Sequence, residues 1–410
     1  MKSVIRKKIS RFFTTTTHRK YLYALYYKYG KIQDNVILLE SFNGEAINDS
    51  SLVFAREIQR LYPGRFKVYF SSSDIKKHKI LIDREKLNVE LVDVNSVKYL
   101  KLLATAKYFI SNASIGTFYS RRPGQIFLET WHGTPLKTLG KKMKRGIATM
   151  GTGQHSMLQA SHLLFPNEFT RKVMMEDYNL ERLYTGKVVM SGYPRNQVFL
   201  QEGKDKEIRE RFGLSDKTVY AYMPTWRGTS AADVNVGDYI NRLKGIFHHI
   251  DKTMTDDQVF YVNFHQMLKT SIDFSGYKHI KEFPKDVDTY SFLNASDVLV
   301  TDYSSVMFDY MLTGKPIVLF MYDYDQYLAD RGLYLDINTL PFRLIYKEKD
   351  FYDVIKTGSC LHDSYTDTEF YRSFTQYEDV NSPEKLLKMI IEDDCNGIEV
   401  KDYTTSRCWR

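Results

Sequence analysis

Apolar and polar positions alternate along this chain in blocks whose spacing reads as strand, helix, strand. Asn35–Glu40 (NVILLE) is a near-continuous apolar run of strand length. A polar stretch separates it from Ser50–Leu61, where Leu52, Val53, Ile58 and Leu61 recur near one helical face. Further apolar runs at Phe66–Ser71, Val89–Val94, Lys107–Asn112, Gln125–Gly133, His162–Asn167 and Lys187–Gly192 predict strands, with an amphipathic helix at Ser96–Ala106. The rhythm breaks at SGYPRNQVFL (Ser191–Leu200) and a charged helix, QEGKDKEIRERFG, follows. It restarts with strands at Lys217–Trp226 and Gln258–His265, a helix from about Asp238 to Asp251, a short strand near His279 and a helix around Asp288–Ala295. Asp297–Phe320 then reads as a buried strand (Val298–Val300), a polar turn (Thr301–Ser305), a helix (about Val306 to Leu312) stopped by Gly314, and a second strand (Ile317–Phe320). A last helix is expected at about Ser382–Asp394.

Strands separated by helical segments imply parallel sheets covered on both faces. Two such series predict an α/β fold of two Rossmann-like lobes facing across a cleft. The expected organisation is a basic aromatic segment (1–34), a first lobe (35–195), a second lobe (196–380) and a C-terminal helix and tail (381–410).

Composition changes this picture mainly through charge. The chain of 410 residues carries a net charge of +8, yet nine basic residues and no acidic one precede Asp34: Lys2, Arg6, Lys7, Lys8, Arg11, Arg19, Lys20, Lys28 and Lys31. Aromatics, including Phe12, Phe13, Tyr21, Tyr23, Tyr26, Tyr27 and Tyr29, are interleaved with them, which suits an anionic membrane surface. Nucleic acid is the rival partner for such charges, but no nucleic-acid module accompanies them; a solvated tail is the plainer alternative. A second basic patch, Lys137, Lys141, Lys142, Lys144 and Arg145, lies between Glu129 and Glu168 with no acidic residue in between, and would attract an anionic acceptor or head group. Three cysteines, Cys360, Cys395 and Cys408, have no metal or disulfide spacing and argue for a reducing compartment. No apolar run approaches the length of a membrane span and no signal-peptide core is visible, so the chain is expected in the cytoplasm.

Four turns follow apolar strands and should lie on the carboxyl edges of their sheets: WHGTPLK (Trp131–Lys137), PTWRG (Pro224–Gly228), NFHQ (Asn263–Gln266) and TDYSS (Thr301–Ser305). His132, with an unperturbed pKa near neutrality, suits a general base acting on a hydroxyl; a histidine merely bonded to its loop is the plainer reading. Gly133, Thr134 and Lys137 of the same turn are candidate substrate contacts. His265 could stabilise charge developing on a phosphoryl oxygen, or simply pack at its strand end. Arg195 and Arg227 offer guanidinium forks that match a phosphate, or are surface charges. Thr301, Ser304 and Ser305, with Tyr303, cluster where a strand meets a helix N-terminus, a setting that favours an anion; Asp302 and Asp309 flank them, and capping is the alternative for Asp302 and Ser304. There is no P-loop, no GxSxG, no HExxH and no Cys/His set with zinc spacing. No metal is assigned, including to Asp286–Asp288 and Asp323–Asp325.

The motifs ETWHGTPLKTLG, SGYPRN, MPTWRG, DVLVTDYSSVMFDYMLTGKPIVLF and YDYDQYLADRGLY resemble those of the CDP-glycerol glycerophosphotransferase family, the bacterial teichoic acid primases and polymerases. The resemblance is strong from Gln125 to Tyr334. It implies a GT-B-type fold, peripheral attachment to the cytoplasmic face of the cell membrane, a CDP-polyol donor (CDP-glycerol, or CDP-ribitol) and no tightly bound cofactor. It further implies His132 as base, His265 on the donor phosphates, and Arg195, Arg227 and the TDYSS hydroxyls as donor contacts. The chain departs from the family at His265–Gln266 and at Gln197. The expected reaction moves a polyol phosphate to a hydroxyl of a lipid-linked acceptor and releases CMP. A nucleotide-sugar glycosyltransferase of the same architecture and a non-enzymatic membrane adaptor are the alternatives. With only about 34 residues before the first strand, a short primase-like or capsule-related member is expected.

Overall fold

The computed structural model describes residues 16–144, 146–225, 236–264 and 272–404. Contacts divide the chain into two units. The first takes the described residues of Met1–His132, Leu139–Gln197 and Tyr377–Arg410, and the second those of Gly133–Thr138 and Val198–Gln376. Strands of the first part of the chain are β1 (Gln33–Glu40), β2 (Lys67–Ser72), β3 (Glu90–Asp93), β4 (Ala106–Ser111), β5 (Ile126–Glu129), β6 (His162–Phe165) and β7 (Lys187–Met190). Those that follow are β8 (Thr218–Tyr222), β9 (Gln258–Val262), β10 (Ile280–Glu282), β11 (Val298–Thr301), β12 (Ile317–Phe320), β13 (Arg343–Ile345) and β14 (Glu399–Asp402).

Among the described residues the first unit holds a sheet in the order β14-β7-β6-β5-β4-β1-β2-β3. The apolar run of β1 explains why this sheet is covered twice: Val36 and Leu38 enter one core with Phe109 and Phe127, while Ile37 and Leu39 enter the other with Ile110 and Leu128. Successive side chains of a strand point to opposite faces, so a continuous apolar run is what a doubly covered strand requires. Burying each such side chain contributes about 1.5–3 kcal/mol. The sheet is not wholly parallel, as its rhythm predicts. β14 runs antiparallel to β7, with Glu399 opposite Met190 and Asp402 opposite Lys187. The helix Ser382–Glu392 leads into it, placing Leu386, Leu387, Met389 and Ile390 in the same core as Ile37 and Leu39. A chain that returns to a sheet edge needs no crossover helix, so no βα spacing announces it.

The second unit holds the sheet β10-β9-β8-β11-β12-β13, parallel throughout. Tyr220, Tyr222, Phe260, Val262, Val298, Val300, Val318 and Phe320 fill the core on one face. Phe283 and Phe292 pack edge-on against Tyr261, whose neighbours in β9 point the other way. β13 and the helices Glu348–Thr357 and Glu369–Thr375 extend this unit beyond the elements the hydrophobic pattern predicts. No described helix is long and apolar enough to cross a membrane.

Candidate active site

In the first unit, three neighbouring strands end level with one another: Glu40 of β1 is the register partner of Ser111 of β4, and Ser111 that of Glu129 of β5. Both glutamates are fully buried. Burial opposes their ionisation and pushes both carboxyls up, Glu129 to about 8, with Glu40 adding repulsion. The Tyr99 hydroxyl donates to Glu40 at 2.6 Å and the Ser156 hydroxyl to Glu129 at 3.0 Å.

β5 stops at Glu129, four residues before the expected end at Gly133, because the backbone turns at Trp131. Trp131 takes a left-handed φ of 54°, where a bulky side chain is strained, and its N–H points back to Glu129 Oε1 at 3.3 Å. Gly133 follows at φ 149°, open to glycine alone at low cost. Between them, His132 gives Nδ1–H to the Asn112 carbonyl at 2.7 Å, which leaves Nε2 as the acceptor. Its ring stacks on Trp131 (centroids 4.4 Å apart) and lies 5.5 Å from the ring of Phe42. Desolvation holds the imidazole below its usual 6.5, against the opposing pull of the Asn112 carbonyl and Asp49; Arg195 adds a smaller downward push. A neutral imidazole with one nitrogen pinned and the other open is competent as a base near pH 7.

Arg195 is buried in the first unit. Its Nη1 donates to Asp49 Oδ2 at 2.6 Å, with both side chains at most 7 % exposed. Asp49 itself has φ 60°, and Phe42 and Asn43 are also left-handed. Four of the seven described non-glycine residues with positive φ therefore lie between β1 and the first residue of the helix Asp49–Leu61 or just after β5. Such strain gathers where a fold over-determines a functional geometry.

In the second unit the TDYSS turn forms where β11 meets the helix Val306–Tyr310. Most of its polar groups are spent inside the fold. Thr301 donates to the Met223 carbonyl at 2.7 Å. Asp302 Oδ1 accepts from the N–H groups of Thr225 and Tyr303, tying this turn to the end of β8. The buried Tyr303 hydroxyl donates to Asp323, and its ring stacks on Tyr327 at 3.6 Å. Asp309 accepts from Tyr290 at 2.6 Å. Ser304 and Ser305 are the half-buried members, and Ser305 makes no side-chain cap bond. Thr134 and Gly133 are buried, while Lys137 is half-buried in a short bridge to Leu333. Arg227, His265 and Arg145 lie outside the described residues.

Glu40, Glu129, Asp49 and Asn112 were not among the residues the sequence singles out. Their signal is present: NVILLE and QIFLE both end an apolar strand in a carboxylate, at the sheet edge where ligands bind.

The family of CDP-Glycerol:Poly(glycerophosphate) glycerophosphotransferases matches residues 22–392. The chain belongs to that family. It is similar to the teichoic acid poly(glycerol phosphate) polymerase of Staphylococcus epidermidis, 32 % identical over 328 residues, 76 % of this chain and 43 % of that protein. It is 28 % identical over 326 residues to the teichoic acid glycerol-phosphate transferase of Staphylococcus aureus, covering 74 % of this chain and 81 % of that one. The chain thus spans less than half the length of the first of these relatives. Among solved structures, the wall teichoic acid polymerase TagF after a CDPG soak matches with a TM-score of 0.77 and 25 % identity, covering 96 % of this chain and 97 % of that one. The fold class read from the pattern, α/β with two Rossmann-like sheets, agrees with this likeness, as does the GT-B-type fold that the family resemblance implies. Membership of the glycerophosphotransferase family favours that class over a sugar transferase or an adaptor.

Proposed function

We propose that this glycerophosphotransferase moves glycerol phosphate from CDP-glycerol to a hydroxyl of a membrane lipid-linked acceptor. His132 Nε2 takes the proton of the acceptor hydroxyl. The oxygen forms a bond to the β-phosphorus, the bond from that phosphorus to the CMP oxygen breaks, and CMP leaves. The proton remains on the imidazole until solvent removes it. Catalysis is positioning plus charge stabilisation, as in phosphoryl transfers generally. In this reading Ser304 and Ser305, with Arg227 and His265, contact the donor phosphates. Thr301, Asp302, Tyr303 and Asp309 hold the turn. Gly133, Thr134 and Lys137 shape the acceptor loop, and Arg195 acts through Asp49 on the surroundings of His132. The observation that carries the reading is His132 itself: a neutral ring with Nδ1 fixed on the Asn112 carbonyl.

The membrane part of the reading rests on the helix Thr16–Tyr29. Its Tyr23 is buried while Tyr21, Leu25 and Tyr29, spaced four apart, are 55–71 % exposed, with Lys20, Lys28 and Lys31 beside them. Aromatic and basic residues on one exposed face suit an anionic bilayer and a peripheral, cytoplasmic-face location. The second basic patch contributes less, because Lys141 donates to the Glu176 carbonyl and Lys142 pairs with Asp177.

The test is to incubate the protein with CDP-glycerol, CDP-ribitol or a UDP-sugar and a lipid-linked disaccharide, then weigh the products. CMP release with a mass gain of one or more glycerol phosphate units is expected. UDP release from a UDP-sugar would return the glycosyltransferase reading.

A further inference from the structure

Beneath His132 lies a group that the proposed reaction does not use. Glu129 is 2 % exposed, and each of its oxygens has a different task. Oε1 accepts from the Trp131 N–H, and Oε2 meets the Ser156 hydroxyl, which also accepts from the Ile115 N–H. Trp131 has a left-handed backbone and its indole forms one wall of the imidazole, with Tyr178 edge-on behind it at 6.1 Å. Among the described residues no other acceptor holds the Trp131 N–H, so the carboxyl, with the Thr130 hydroxyl on the Trp131 carbonyl, ties down the turn that leads to His132.

We propose that Glu129 is the positioning residue of the His132 loop, fixing Trp131 in its left-handed turn and so setting the orientation of the imidazole. This rests on His132 being the base. The carboxyl does its work as a neutral acid. Burial, and the Glu40 carboxyl two strands away, lift its pKa to about 8. The titratable groups around it are Glu40 on β1, Tyr99 bonded to Glu40, and His132 on its own loop; Ser111 on β4 and Ser156 on the helix Gly151–Gln159 are uncharged. Loss of the proton would place a charge in the buried interior, two strands from the Glu40 carboxyl, and the loop would relax to bring it toward solvent.

The experiment compares Glu129→Gln, Glu129→Ala and wild type across pH 6 to 9.5, reading kcat and KM for the acceptor. A carboxamide keeps an oxygen for the Trp131 N–H and sets its NH2 against the Ser156 oxygen, reversing that hydrogen bond without losing it, but cannot ionise. Expected is a kcat loss on the order of 10²-fold with little change in KM for Glu129→Ala, and recovery of that loss in Glu129→Gln. Wild type should also lose kcat through about pH 8, an alkaline limb that Glu129→Gln abolishes. A second readout needs no activity: with Trp226 and Trp409 replaced by Phe, Trp131 is the sole indole. Its emission should shift through the same pH range in the Glu129 protein and stay flat with Gln. A silent Glu129→Ala, or an alkaline limb and emission shift unchanged in Glu129→Gln, overturns the inference. If His132→Ala stays active while the indole titration still depends on Glu129, the base reading fails and the positioning of the loop stands.

Discussion

The carboxyl edges of the two sheets are built on opposite principles. At the first, titratable groups are driven into the interior: Glu40 and Glu129 under the strands, with burial opposing their ionisation, and Asp49 paired with Arg195. The backbone there is strained, and all seven described non-glycine residues with positive φ belong to the first unit. At the second edge, Thr301, Asp302 and Asp309 are bonded to backbone and tyrosine partners, and no described non-glycine residue of that unit takes a positive φ. The difference separates two jobs. A base needs a lowered pKa and a fixed tautomer, which burial and strain supply. A phosphate site needs pre-set donors, which a turn held firmly by its own hydrogen bonds supplies.

The largest way to break this contrast is to disrupt the buried pair. Arg195→Met leaves Asp49 buried without its guanidinium and should destabilise the protein by about 3–5 kcal/mol in urea denaturation. A loss under about 1 kcal/mol would mean that the first edge is no more charged in effect than the second. Next in size, Ser304→Ala and Ser305→Ala should each raise the KM for CDP-glycerol by roughly tenfold, the worth of a hydrogen bond to a charged group, while leaving the melting temperature unchanged. At the same edge, Thr301→Val should do the reverse, lowering stability by about 1 kcal/mol through the orphaned Met223 carbonyl, with little effect on KM. The smallest effect is on the surface helix: Lys28→Ser should weaken binding to anionic vesicles by about 1 kcal/mol, roughly fivefold, and less at high salt.

Much of the fold was legible because both sheets are covered on two faces, so that NVILLE, KVVM and DVLVT stand out as apolar runs. β14 and β13 were not, since EVKD and RLI are short edge strands whose charged or half-buried residues carry no such run. His132 and the TDYSS turn both stand just after strands, the placement by which the sequence singles them out. What could not be read was the division of labour within TDYSS, where burial decides that Thr301, Asp302 and Tyr303 face the protein. Nor could local sequence show that Asp49 and Arg195, 146 positions apart, form one pair. Glu129 was visible as a letter beside a motif, but its meaning depends on Glu40 lying two strands away, which only the sheet order supplies.

The central claim is that a neutral His132 takes the acceptor proton. Its pKa is held below 6.5, so the ring accepts a proton above that lowered value, and activity should fall as pH drops through it. The most direct measurement is the pH profile of single-turnover CMP release with a lipid-linked acceptor, for wild type and His132→Ala. The account predicts an acid limb below pH 6.5 in wild type and a loss of about 10²–10⁴-fold without that limb in His132→Ala. Turnover by His132→Ala within about threefold of wild type, with the acid limb intact, would contradict it.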